Sequence, residues 1–89
     1  MPRVDDPALT HILDYAFANG IPDHVAQRAH EGGHVILCAA SLADIAVWGP
    51  VLRWKSVPGK FGVQVDGKWH IIFAWDDAQG AYDLALKRR

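Results

Sequence analysis

The sequence predicts an α+β fold, two N-terminal helices packed on a small twisted antiparallel sheet, and three observations carry that expectation. Apolar residues before Gly49 recur at helical spacing, those after Val51 alternate with polar ones, and Asp66-Gly67 marks a turn within the alternating stretch. A chain of 89 residues with 51% hydrophobic content has room for one domain around one core, residues 1–89.

The first helix is expected in DDPALTHILDYAFANG, with Asp5 and Asp6 as capping candidates, Pro7 in the first turn and Asn19-Gly20 at the C-terminus. Leu9, Ile12, Leu13, Ala16 and Phe17 fall on one stripe, which makes them core. A second helix is expected from about His24 to Ala40, with Val25, Ala29, Ile36 and Leu37 on one side and a weak point at Gly32-Gly33. Each of those glycines costs about 1 kcal/mol of helix stability against alanine. Ser41 and Asp44 cap a short turn, SLADIA, and Gly49-Pro50 closes the helical half.

The segment KFGVQVDGKWHIIFAW then reads as a hairpin. A bulged or three-residue turn that brings Val65 opposite Trp69 gathers Phe61, Val63, Val65, Trp69, Ile71, Phe73 and Trp75 on one face, whereas a tight two-residue turn divides them. Burial favours the bulged register. Lys60, Gln64, His70, Ile72 and Ala74 then show on the opposite face, and AYDLALKRR and VLRWK are further strand candidates.

Composition narrows the function classes. One cysteine, Cys38, excludes an internal disulfide framework and is expected to pack as a small apolar residue. No apolar run reaches the roughly 18 to 20 residues that span a bilayer, and the N-terminus lacks the basic start and apolar core of a secretory signal. A cytoplasmic domain mature from Met1, with no membrane partner, is the expectation. A net charge of -1 lacks the positive excess usual in nucleic-acid binders.

His30-Glu31-Gly32-Gly33-His34 matches the His-Glu-x-x-His spacing of zinc proteases, in which two imidazoles one helical turn apart hold the metal and the glutamate acts as base. The third protein ligand that a catalytic zinc needs would have to come from Asp44, Asp66, His70 or Cys38, none at a recognisable spacing. The plainer reading makes His30 and His34 solvent-facing residues of an amphipathic helix, with no metal and no cofactor.

From Ala39 to Asp83 the order of residues resembles the HigB branch of the RelE/ParE superfamily, toxins of type II toxin–antitoxin modules also called plasmid maintenance killer proteins. SLADI resembles that family's Ser-Leu-x-Asp-Leu turn and LRWK its Leu-x-x-Leu-Lys. GVQVDGKWHIIFAWDD resembles its Ser-Ile-Arg-Ile-Asn-x-x-Trp-Arg-Ile-x-Phe-x-Trp signature, followed by AYDLAL where the family has Asp-Val-Glu-Ile. GIPDHVAQRA resembles its second-helix start more weakly. The resemblance implies a ribosome-dependent mRNA interferase, an endoribonuclease that inhibits translation and is neutralised by a cognate antitoxin.

That chemistry needs cations along the scissile phosphate and groups that move protons. Lys55 stands at the family's lysine, but Ser56-Val57-Pro58 replaces the Gly-Asp-Arg that follows it, and Gln64, His70 and Ala74 occupy strand positions the family fills with arginine. The chain ends in Lys87-Arg88-Arg89 without the tyrosine or histidine the family commonly places there. Lys55 and His70 are therefore the catalytic candidates, His70 because imidazole changes charge between about pH 5 and 8. Arg53, Lys60, Lys68, Arg88 and Arg89 are the RNA-binding candidates, each otherwise an ordinary solvated charge. Tyr15 and Tyr82 are expected to pack in the core or at an edge.

Two other classes compete. A toxin fold that has lost its cationic face could bind a protein instead, as an inhibitor of a host or phage defence complex in the manner of anti-CRISPR proteins, or as an antitoxin decoy. Trp48, Trp54 and Ile72 are its candidate contacts, since exposed apolar residues on a strand face favour protein partners. A His-Glu-x-x-His zinc protein ranks third.

Overall fold

A computed structural model describes residues 4–54 and 58–88 and shows an α+β domain. In chain order the elements are α1 (Pro7–Tyr15), α2 (Asp23–Cys38), α3 (Leu42–Trp48), β1 (Val51–Arg53), β2 (Lys60–Asp66), β3 (Trp69–Asp76) and β4 (Gly80–Arg88). The strands form one antiparallel meander in the order β1-β2-β3-β4. Helix α2 lies across β2, β3 and β4, with α1 and α3 against it.

Asp6 caps α1, its Oδ1 accepting from the Ala8 amide at 3.0 Å with Pro7 in the first turn. Its other carboxylate oxygen accepts from the Leu86 amide at 3.0 Å, and the Asp5 amide donates to the Leu84 carbonyl, so the cap also moors α1 to the edge of β4. The helix stops earlier than Asn19-Gly20. Ala16 turns left-handed (φ 57°) and leaves Phe17 nearly half exposed instead of in the core.

Gly32 and Gly33, expected as a weak point, are where α2 is approached most closely. A β-carbon on Gly32 would come within 2.6 Å of the Trp48 ring, and one on Gly33 within 2.5 Å of a Leu13 methyl. The helix forgoes side chains there so that α1 and α3 can approach it. Cys38 ends α2 and is exposed, not packed inside, because α2 turns its Ile36 side to the core. The segment expected as a short turn is the helix α3, with a capping box in which Asp44 Oδ2 accepts from the Ser41 amide while Ser41 Oγ accepts from the Asp44 amide.

Asp66 pairs with Trp69 around Gly67-Lys68, and a bulge between Gln64 and Asp66 absorbs Val65. The bulge delivers the same-face set expected from burial. Val63, Val65, Ile71 and Phe73 face the helices with Leu84 and Leu86 of β4, and Leu9, Ile12, Val25, Ala29, Ile36 and Ile45 complete the core. A second bulge, opposite Phe73, holds Asp83 in the left-handed region (φ 55°).

Candidate functional site

Three rows cross the sheet face that turns away from the helices. Lys60, Ala74 and Tyr82 form the first, Leu52, Gly62, Ile72 and Ala85 the second, and Gln64, His70 and Lys87 the third. Strand alternation puts them there, since Phe61, Val63, Ile71 and Leu86 occupy the intervening inward positions.

This face is not simply open. The Trp54 backbone N–H donates to the Lys60 carbonyl, and from that anchor its indole leans diagonally over Gly62, where an added β-carbon would come within 2.8 Å of the ring. Trp54 reaches His70, with ring centroids 5.3 Å apart. Ile72 and Ala74 are buried as a result. The two partner-contact candidates on this face, Trp54 and Ile72, are thus engaged with their own chain. Trp48, the third, packs on Gly32, donates its indole N–H to Glu31 at 2.8 Å and carries the Arg28 guanidinium 4.6 Å from its ring centre.

His70 is 5% exposed, so it is not the solvent-facing strand histidine that alternation implied. Its Nδ1 lies 3.1 Å from the Lys68 carbonyl. A carbonyl oxygen only accepts, so Nδ1 is the donor in this contact, and in the neutral ring Nε2 carries the lone pair. His70 lines a cavity of about 690 Å³ with Pro50, Leu52, Gln64, Gly67 and Lys68. Gln64 donates from its amide nitrogen to the Gly67 carbonyl at 2.7 Å.

The RNA-binding candidates divide. Lys68 borders the cavity, and Lys87, which the sequence reading passed over, pairs in register with His70 and is exposed. Alternation outward from Leu84 and Leu86 was the signal for Lys87. Lys60 is on the same face but turned to Asp83, its Nζ 3.6 Å from the carboxylate and 3.4 Å from the carbonyl. Arg53 and Arg88 pair with Phe61 and Trp69 and so belong to the other side of the sheet. Lys55 and Arg89 lie outside the described residues.

The near-neutral total conceals a polarised chain. Before Gly49 the sequence holds six acidic residues against two arginines, and after it seven basic residues against four acidic ones. Among the described residues, the cations of the second half that stand on the outer sheet face are Lys60, Lys68 and Lys87. Tyr15 is 70% exposed at the end of α1, its ring against His11, which also meets Phe17, and it lines a shallow pocket with Asp5, Asp6 and Asp14. Neither the core nor an edge takes it up.

The His-Glu-x-x-His residues have structural partners. His34 Nε2 lies 2.9 Å from the Leu13 carbonyl, tying α2 to α1, and Glu31 accepts from Trp48 and sits 3.8 Å from Arg28. The His30 and His34 rings contact edge to face at 4.8 Å. No group of three or more His, Cys, Asp or Glu side chains among the described residues could hold a metal ion, and no helix among them is long and apolar enough to cross a membrane.

Fold and site together define an α+β domain whose outer sheet face, partly covered by Trp54, carries a buried histidine beside lysines. No protein-family model matches the chain, and no curated protein matches it.

Proposed function

We propose that the chain binds RNA across the outer face of its sheet and acts as a HigB-like mRNA interferase, the toxin of a toxin–antitoxin pair working on ribosomes in the cytoplasm. The observation that carries this reading is the row Gln64, His70, Lys87, with Lys68 beside it, around a histidine that lines a cavity.

In that arrangement Nε2 removes the proton of a ribose 2′-hydroxyl. The 2′-oxygen attacks the adjacent phosphorus, a 2′,3′-cyclic phosphate forms, and the bond to the 5′-oxygen breaks. Lys68 and Lys87 offset the charge that grows on the phosphoryl oxygens, and one of their ammonium groups protonates the departing 5′-oxygen. The route needs no metal and no cofactor. Lys55, the lysine that the family resemblance assigns to the site, would add a third cation.

The test is primer extension on a messenger RNA in a translating extract, with wild-type protein against His70→Gln and Lys68→Ala/Lys87→Ala. Codon-phased cuts that fall at least tenfold in each variant, with circular dichroism unchanged, support the interferase. Intact message at saturating wild-type protein overturns it.

One observation favours a second reading, a non-enzymatic protein-binding inhibitor. Tyr15 and Phe17 are exposed aromatic side chains on the helical side of the molecule, remote from the sheet face that would meet RNA. The toxin reading leaves the same surface to a cognate antitoxin. Harmless overexpression together with protein capture that depends on Tyr15 supports inhibition without catalysis.

A further inference from the structure

We propose that two copies of the chain pair across the outer side of α1, about a two-fold axis that sets Arg88 of one copy against Tyr15 and Asp14 of the other. This contact uses the helical side of the molecule, so it does not rest on RNA binding at the sheet.

An open groove of about 440 Å³ runs along α1, with Val4 and Pro7 toward one end and His11 and Tyr15 toward the other. Its far end is aromatic. Tyr15 is 70% exposed with its ring 4.7 Å from that of His11, and Phe17, two residues on, is 47% exposed. Aromatic rings carry much of the contact area where proteins meet, and these two are left in water by the single chain.

The charges around the groove decide what covers it. Asp5 and Asp14 are exposed, and among the described residues neither carboxylate has a hydrogen-bond or ion-pair partner. Arg88 is exposed and equally unpaired. It belongs to the same surface, because its pairing with Trp69 turns it to the helix side of the sheet. Two residues before it the Leu86 amide donates to Asp6, the N-cap of α1, and Val4 bridges Leu84. Arg88 therefore stands by the N-terminal end of α1, whereas Asp14 and Tyr15 close its C-terminal end.

A partner of one sign meets this surface badly. A cationic peptide on Asp5 and Asp14 would face Arg88, and a polyanion on Arg88 would face the two carboxylates. A second copy offers both signs in the required order. A two-fold axis through the middle of the groove exchanges its ends, so each Arg88 meets the other copy's Asp14 and the contact is made twice. The guanidinium then lies over the Tyr15 ring, which attracts a cation to its face, while its N–H groups donate to the Asp14 carboxylate. The two α1 helices run antiparallel across the axis, and the sheet face around His70 stays free.

Sedimentation equilibrium of the nuclease-treated full chain, at loading concentrations from micromolar to millimolar, measures the association. The expected result is a mass that doubles as concentration rises, with weaker pairing as salt is added. Arg88→Asp and Asp14→Arg should each raise the dissociation constant about tenfold or more by setting like charges face to face, and the two together should restore it to within about threefold. Tyr15→Ser should weaken pairing without the salt dependence being lost. All three side chains are exposed, so the variants fold, and unchanged circular dichroism checks it. A wild-type chain that stays monomeric over the whole range overturns the proposal and leaves the groove to a protein of another sequence. A dimer indifferent to the three single changes, or single losses that the double exchange does not restore, overturns the pairing of Arg88 with Asp14 and this two-fold with it.

Discussion

The Trp54 and His70 rings stand 5.3 Å apart, tilted at 55°, because Gly62 leaves room for the indole to cross strand β2. One missing side chain therefore decides how much of the histidine meets solvent. Gly62→Ala would put a β-carbon 2.8 Å from the Trp54 ring and 3.8 Å from Ile72, and the ring must move. The expected cost is about 1 to 3 kcal/mol in urea unfolding, as for other overpacked contacts. His70 should also react faster with diethyl pyrocarbonate. Unchanged reactivity would show that Trp54 does not shelter the imidazole.

If RNA lies on the outer sheet face, its affinity falls with salt in proportion to the phosphates neutralised. Lys68→Ala and Lys87→Ala should each lower the slope of log K against log salt by about 0.7, the value for one single-strand phosphate contact. Asp14→Asn on α1 should leave the slope unchanged. A slope indifferent to both lysines places the RNA elsewhere.

Gly32 and Gly33 are adjacent, yet alanine should act differently at each. The helix gains about 1 kcal/mol from either replacement before packing is considered. At Gly33 the new carbon meets buried Leu13 at 2.5 Å between two helices, and overpacking there should outweigh the gain by about 1 to 2 kcal/mol. At Gly32 the neighbour is the partly exposed Trp48 ring, which can slide at the expense of its bond to Glu31. Thermal melts should rank Gly33→Ala below Gly32→Ala, and the reverse order would mean that Leu13 re-packs more easily than Trp48.

In the capping box of α3, Asp44 Oδ2 accepts from the Ala40 and Ser41 amides at 3.0 and 3.2 Å, while the Ser41 Oγ contact is longer, 3.4 Å. Ser41→Ala should cost about 0.5 to 1 kcal/mol and Asp44→Ala at least as much. The double variant should lose less than the two single losses added, since both belong to one motif. Full additivity in chemical denaturation would show two independent caps.

Zinc should do nothing. His34 Nε2 contacts the Leu13 carbonyl, so a metal taking that nitrogen would have to break the α2 contact with α1. One equivalent of zinc should leave the melting temperature unchanged, and a rise of several degrees abolished by His30→Ala would revive the metal reading.

The α+β class, the hairpin with its bulged turn and the inward residues of β2 and β3 were legible in the sequence. They follow from local periodicity and from the cost of exposing seven large apolar side chains, which sequence alone reports. The caps at Asp6 and Ser41 were legible for the same reason, since a cap acts within one turn. Tertiary structure decided what depends on a second element. His70 and Ile72 alternate outward like surface residues, and only the missing side chain at Gly62 lets Trp54 fold over them. Gly32-Gly33 looks like a flaw in a helix until Trp48 and Leu13 fill the space, and Glu31 looks like a base until Trp48 occupies it. Periodicity states which side of an element a residue takes, but burial and chemical role are set by what arrives from elsewhere in the chain.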